Sequence, residues 1–300
     1  MIQPKKIALT VDDLPFHGDT TIEYDRLKIV NNFTSAFKKF NLPPIVGFAN
    51  MHAVLNATEN YPHSKKSEGN AVLFEWVEKG NILANHTFSH IDLENVIEED
   101  FIQDIEKNED ILSRFPNVER YFRYPFLSES RSFMKRSLVH HYLVSHHYRI
   151  APVTIDFYDF MWNTALSKCL THGNAEGVNH LKDQYLFSAI NCIKQASEIA
   201  EKLFHRDIHH IILLHLGLAT SIFIEPLIQA LLSTGHQFIT LEEALDDPVY
   251  MNDFYMPERN GLNFLQQAAV AHEFDISSYP DVPRKNVLRY AYNLPSTIIL

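Results

Sequence analysis

Short apolar runs alternate along the chain with longer segments in which apolar residues recur every three to four positions, the pattern of repeated β-α units. The short runs predict strands at Ile7–Val11, Ile45–Ala49, Asn81–Ala84, Tyr121–Arg123, Tyr142–Ser145, Val153–Ile155, His210–Leu214 and His236–Ile239. The longer segments predict helices at Ile22–Phe40, Ala71–Lys79, Ile97–Arg114, Glu129–His140, Leu181–Phe204 and Ile222–Ser233. Within Leu181–Phe204 the residues Leu186, Ile190, Ile193, Ala200 and Leu203 recur at helical spacing, so one stripe of that helix is expected to be buried. No Gly/Ser linker, repeat or low-complexity tract divides the chain. The expectation is one barrel-like α/β domain over residues 1–250 and a loop-rich extension over residues 251–300, with Pro257, Pro280 and Pro283.

In a parallel α/β barrel the reacting groups sit at the C-terminal ends of the strands. The polar residues that follow the predicted strands form an unusual set. Asp12 and Asp13 follow the first strand, and His86 and His90 follow Asn81–Ala84. Arg123 ends Tyr121–Arg123, Asp156 and Asp159 follow Val153–Ile155, and His215 follows His210–Leu214. Carboxylates, imidazoles and one guanidinium are thus expected to converge on one mouth.

Composition narrows what such a mouth can do. With only Cys169 and Cys192, the chain can build neither a disulfide framework nor a cysteine-rich zinc site, so any metal must be held by histidines and carboxylates. The 17 histidines raise the chance of metal or acid-base chemistry, and equally the chance of idle pairs. A net charge of −11 without a basic stripe argues against a nucleic-acid grip. No segment approaches the roughly 18 apolar residues of a membrane helix, and no signal-peptide pattern follows the early lysines. The expected location is cytoplasmic, or periplasmic or secreted if a leader has been removed.

The Asp12-Asp13 pair before Pro15 is by itself compatible with a solvated turn. Neighbouring side chains on a strand point to opposite faces, but a backbone turn past the strand end can bring both inward. His86 and His90 are four apart, the spacing that puts two imidazoles on one face of a helical turn. His205 and His209 share that spacing with nothing around them to suggest a site, and read as a helix-end coincidence. In combination, however, Asp13 with His86 and His90 makes a three-ligand set that leaves positions open for water and a substrate oxygen, as catalytic zinc sites do. Asp12 is then placed to be a general base and His215 the acid that protonates a leaving amine. Arg123 would hold Asp12 ionised, and Asp159 would orient His215 and raise its pKa, with Asp156 as the rival for that role.

The five segments TVDD (Thr10–Asp13), HTFSH (His86–His90), RYPF (Arg123–Phe126), DFYD (Asp156–Asp159) and LLH (Leu213–His215) resemble, in order, the motifs of polysaccharide deacetylases with the NodB-homology domain, carbohydrate esterase family four. The resemblance implies a distorted (β/α)7 barrel and a divalent ion, Zn²⁺ first. It also implies Asp12 as base, Asp13, His86 and His90 as ligands, Arg123 as the residue orienting the base, and His215 as acid. A backbone N–H near Phe126 would share the oxyanion. Three positions depart from the family pattern: Leu14 replaces a usual Gly, Phe126 a common Tyr, and Phe160 a usual Trp, with Trp162 nearby. The last affects a surface that commonly meets the sugar. The expected substrate is an N-acetylated or N-acylated amino-sugar polymer or oligomer of the peptidoglycan or chitin type. The alternatives are deacetylation or deformylation of a small or lipid-linked amino sugar, and a catalytically silent carbohydrate-binding member of the fold.

Overall fold

The computed structural model describes residues 5–21, 23–55, 64–257 and 261–274. Ile22, Pro280 and Pro283 of the sequence reading lie outside them. Seven parallel strands, β1 (Lys5–Leu14), β2 (Val46–Ala49), β3 (Ile82–Asn85), β4 (Val118–Phe122), β5 (Arg149–Ile150), β6 (His210–His215) and β7 (His236–Phe238), form one sheet. Its order is β5-β4-β3-β2-β1-β6, with β7 also on β1. Between and around the strands run α1 (Arg26–Lys39), α2 (His52–Leu55), α3 (Ser64–Glu78), α4 (Glu98–Leu112), α5 (Phe133–Ser145), α6 (Trp162–Thr171), α7 (Ala175–Phe204), α8 (Leu218–Ser233), α9 (Leu241–Leu245) and α10 (Phe264–Ala271).

The apolar patterning explains why these elements form. The middle of β1 and all of β6 are buried on both faces, which only a strand covered on each side can be. In α1 the Asp25 side chain accepts from the Lys28 N–H at the start, Ile29, Val30, Phe33 and Phe37 face inward, and Lys38 and Lys39 sit at the negative end. The buried stripe of α7 runs through Leu181, Tyr185, Ala189, Cys192, Ile193, Ala196 and Ala200, while Leu186, Ile190 and Leu203 lie along its margin.

The sheet curls until its two edges meet. After β5 the chain leaves β4, where the Ala151 N–H still donates to the Phe122 carbonyl (2.8 Å). It then crosses to β6, where Thr154 and Ile155 N–H groups donate to the Ile211 carbonyl (3.0 and 3.1 Å). An isolated bridge, Ile155 to Ile212, closes the seam of a distorted α/β barrel. The run Val153–Ile155 is therefore a crossing segment rather than the predicted strand, because Pro152 interrupts the donor pattern and the chain changes partners within three residues.

A second correction concerns Tyr142–Ser145, which is the last turn of α5 and not a strand. Val139 and Leu143, four apart, are its buried positions, and the Ser132 side chain caps its start. The β-favouring Tyr-Leu-Val run is overridden by a helix that begins about two and a half turns earlier, at Phe133. Within the predicted extension, α10 packs on α7 and the Phe264 N–H donates to the Val153 carbonyl (2.8 Å), so this segment lies over the barrel seam.

Candidate active site

The mouth is set by β1. Thr10 and Asp12 point the same way, as residues two apart on a strand must, and both accept from Arg123 Nη1, at 2.8 and 2.6 Å. Regular alternation would send Asp13 to the other face. Instead the pairing with β2 shifts register between Val11 and Leu14, and Asp13 adopts a left-handed backbone with φ 61°. A bulge of this kind re-aims one side chain. Here it delivers two adjacent carboxylates to one mouth. Leu14, at the family's usual Gly position, is fully buried in the core behind them.

His86 and His90 converge by a different route from the one their spacing suggests. The segment after β3 is not a helical turn: Thr87 and His90 both have positive φ, 60° and 52°. A buried amide network holds this costly path. Asn50 Nδ2 donates to the carbonyls of His86 (2.5 Å) and Thr87 (3.1 Å), the Thr87 N–H donates to Asn85 Oδ1 (2.9 Å), and Asn108 Nδ2 donates to the same oxygen (2.9 Å). The two imidazole centroids end 5.0 Å apart.

Their nitrogens face Asp13. His90 Nε2 lies 3.2 Å and His86 Nε2 3.7 Å from Asp13 Oδ1. His86 Nδ1 is 2.8 Å from the Arg123 carbonyl, which can only accept, so Nδ1 carries the proton and Nε2 presents its lone pair. Burial, with the His86 imidazole alongside, lowers the His90 pKa to about 4, leaving it neutral and able to ligate. Asp13 Oδ1 is buried and has no hydrogen-bond partner, which a carboxylate oxygen tolerates poorly unless a cation meets it. Two neutral nitrogens and one orphaned carboxylate oxygen fit a divalent cation. Burial would raise the Asp13 pKa, but the hydrogen bond from His17 and the neighbouring imidazoles hold it below the ordinary carboxylate range.

On the other side stands His215, in register with Asp12 at the end of β6. Asp159 grips it twice: Oδ1 lies 2.6 Å from His215 Nδ1, and Oδ2 accepts the His215 backbone N–H at 2.8 Å. Burial works against the imidazolium, but the Asp159 carboxylate, with Asp13 and Asp12 behind it, raises the His215 pKa to about 10. Asp156 makes no such contact; it accepts from the Tyr158 N–H (2.8 Å), and burial raises its own pKa to about 6. His205 caps the end of α7 and His209 Nδ1 faces the Glu243 carbonyl, so that pair stays apart from the site.

One residue escaped the sequence reading. His17 Nδ1 lies 2.8 Å from Asp13 Oδ2, and its ring packs 4.8 Å from His215 and 5.4 Å from Phe160. Asp13, His17 and His215 form a second possible ligand group, but Asp13 Oδ2 already meets His17 Nδ1, and the Asp159 carboxylate favours the protonated form of His215, which cannot ligate. The Asp13 oxygen left without a hydrogen bond, Oδ1, faces the His86 and His90 side. The signal for His17 was its place four residues after Asp13; nothing in the intervening Leu-Pro-Phe announced that the chain would double back.

Aromatic rings rim the mouth. Phe126, left-handed at φ 59° and 59% exposed, stands 4.4 Å from the His90 ring. Phe160 stands 5.0 Å from His215 with Tyr158 beyond it at 6.3 Å. Trp162 is wholly buried against Phe157 and Tyr185 and takes no part in the rim.

A sequence profile described as polysaccharide deacetylase matches residues 2–142, a span that carries the first three of the five motifs. Over that segment, just under half of its length, the chain is similar to polysaccharide deacetylases. Among curated proteins, none matches. Solved structures that resemble the chain include the chitin deacetylase of the fungal pathogen Colletotrichum lindemuthianum, with TM-score 0.53, 21% identity, and coverage of 82% of this chain and 89% of that one. A mutant of a Bacillus anthracis CE4 family pseudoenzyme with restored enzymatic activity gives 0.55, 15%, 81% and 68%. A peptidoglycan N-acetylglucosamine deacetylase gives 0.50, 17%, 80% and 87%. At these identities the likeness establishes the fold alone, and that fold is the deacetylase α/β barrel. None of the helices among the described residues is long and apolar enough to cross a membrane.

Proposed function

We propose that the protein is a metal-dependent hydrolase that removes N-acetyl or related N-acyl groups from amino-sugar polymers or oligomers of the peptidoglycan or chitin type. The observation that carries this reading is the orphaned Asp13 Oδ1 facing two imidazole Nε2 atoms, with a buried carboxylate and a charged imidazole on either side. Members of the family generally use a divalent metal, and Zn²⁺ suits an N,N,O donor set.

Asp13, His86 and His90 would hold the ion, which polarises the amide carbonyl and activates water when bound. Asp12 accepts the water proton; Arg123 fixes its Oδ1 and leaves Oδ2 toward the His86 side. His215, held protonated by Asp159, gives a proton to the amide nitrogen as the C–N bond breaks, so that a free amine and a carboxylic acid leave. Phe126 on one flank and Phe160 with Tyr158 on the other offer apolar faces to a sugar ring.

The test is release of acetate from metal-loaded protein over chitin oligosaccharides, peptidoglycan fragments and the monosaccharide N-acetylglucosamine. Oligomers are expected to be cleaved in preference to the monosaccharide, and Asp12→Asn to abolish turnover while keeping the metal. Absence of acetate release from every amino sugar, or near-normal turnover in Asp12→Asn, overturns the reading.

A further inference from the structure

Phe126 stands beside His90 on a loop whose backbone is costly to hold. Phe126, Leu127 and Ser130 all lie in the left-handed region, at φ 59°, 53° and 70°, although none is glycine. Such a path persists only where its surroundings over-determine it. On one side the loop is tied to the chain just past His90. Asp92 accepts from the Ser128 hydroxyl, and Glu94 Oε2 accepts from the Ser130 hydroxyl (2.9 Å) and the Arg131 N–H (2.6 Å).

A second set of ties comes from Asp253, Tyr255 and Gly261, in a stretch for which the sequence suggests no role. Tyr255 Oη donates to the Ser130 carbonyl at 2.9 Å, so Ser130 is gripped through its side chain by Glu94 and through its backbone by Tyr255. The Tyr255 ring meets two side chains of α5, with the Arg136 guanidinium 4.3 Å over its face and the Phe133 ring at 6.5 Å. Arg136 is itself fixed. It donates through its two Nη atoms to both carboxylate oxygens of Asp253 (2.8 Å each) and through Nε to Glu129 (2.7 Å), a residue of the Phe126 loop. A paired bond of this kind holds a guanidinium in one orientation. Further along, a Cβ built on Gly261 would stand 3.5 Å from the Phe126 carbonyl oxygen, so the backbone there passes beside the Phe126 peptide.

These ties reach a surface that a substrate would use. The Phe126 ring is 59% exposed and 4.4 Å from the His90 ring. An aromatic face held in place before a sugar arrives keeps its full contact energy, whereas one that must be ordered on binding gives part of it back. We propose that Tyr255, backed by the Arg136–Asp253 pair, is a positioning residue that fixes the Phe126 ring at the edge of the mouth and so tightens the hold on an amino-sugar oligomer. This rests on the reading of the mouth as an amino-sugar site.

The probe is the N-acetylglucosamine tetramer, titrated calorimetrically into the metal-loaded full chain in an Asp12→Asn background, where it is to be bound without being cleaved. Tyr255→Phe keeps the ring and removes the donor to Ser130; it should weaken binding about fivefold, the worth of one net hydrogen bond. Phe126→Ala should weaken it at least as much. The double variant should bind no more weakly than Phe126→Ala alone, because Tyr255 acts through that ring. Asp253→Asn, which leaves Tyr255 in place, should act in the same direction as Tyr255→Phe. With Asp12 restored, the loss in Tyr255→Phe should fall on KM rather than on kcat. Amide hydrogen exchange over residues 126–131, followed by mass spectrometry with no sugar present, should be faster in Tyr255→Phe. Unchanged exchange there, unchanged affinity, or additive losses in the double variant overturn the positioning role. If the parent protein binds no amino-sugar oligomer while exchange is still faster in Tyr255→Phe, it is the reading of the mouth that falls, taking the sugar-holding role with it.

Discussion

His86 and His215 stand on either side of Asp12, each just at or past the end of a parallel strand, each with one ring nitrogen turned toward the carboxylates. They differ in what grips the other nitrogen. For His86 it is the Arg123 carbonyl, a neutral acceptor that fixes the tautomer without favouring a second proton. For His215 it is the Asp159 carboxylate, which stabilises the imidazolium. The same side chain in the same barrel mouth is thereby prepared as a lone-pair donor on one flank and a proton donor on the other. The far-side partner, not the residue type or its strand position, distinguishes the two.

The comparison breaks most visibly on the ligand side. Replacing His86 by Ala removes the lone pair directed at Asp13 Oδ1. Stoichiometric metal and turnover should both disappear, whereas His215→Ala should retain metal; mass-spectrometric metal content of the two purified variants decides this. Equal metal content in both would mean that the flanks are not differentiated as described.

A smaller but more diagnostic effect is expected from Asp159→Asn, which keeps the size of the partner and removes its charge. With the acid no longer held protonated, kcat should fall by roughly 10²–10⁴-fold at unchanged metal content. The high-pH limb of the rate profile should also move to lower pH. The sign follows from a folded-state pKa raised to about 10. The stabilisation that comes from protonating His215 is present in full below its unfolded value of about 6.5 and is lost as pH rises through about 10. Thermal stability followed across that window should therefore slope downward in the wild type and lose this component in Asp159→Asn.

The smallest effect concerns His17, which touches neither nitrogen of His86 but orients Asp13 through Oδ2. Outer contacts of this kind typically contribute about 10–100-fold in metal affinity. His17→Ala should lower affinity by that order in a chelator competition. Unchanged affinity would assign His17 to packing against Phe160 and His215 alone.

Much of this was legible in the sequence. The parallel alternation identified the barrel, and taking the polar residues after each apolar run identified the set that the structure brings together at one mouth. The failures share a cause. Tyr142–Ser145 and Val153–Ile155 are short apolar runs whose fate is decided by what precedes them, a helix already under way in one case and a change of strand partner in the other. His86 and His90 do meet, but through left-handed backbone at Thr87 and His90 that no spacing rule encodes. His17 was invisible because its place depends on the chain doubling back after β1. Local pattern reports which residues are presented at a strand end; the buried amides of Asn50, Asn85 and Asn108, far apart in sequence, decide the path that presents them.

The bulge in β1 has a consequence for how such a site can diversify. Because Asp12 and Asp13 are covalent neighbours, the distance between the proposed proton acceptor and the proposed ligand is written into one peptide unit and cannot be adjusted for a larger or smaller leaving group without losing one of the two. A single inserted or deleted residue there would exchange their assignments or turn both away. Novelty in what the mouth accepts must therefore accumulate where the chain is free to vary, on the aromatic rim, and two of the three departures from the polysaccharide deacetylase pattern, Phe126 and Phe160, lie there.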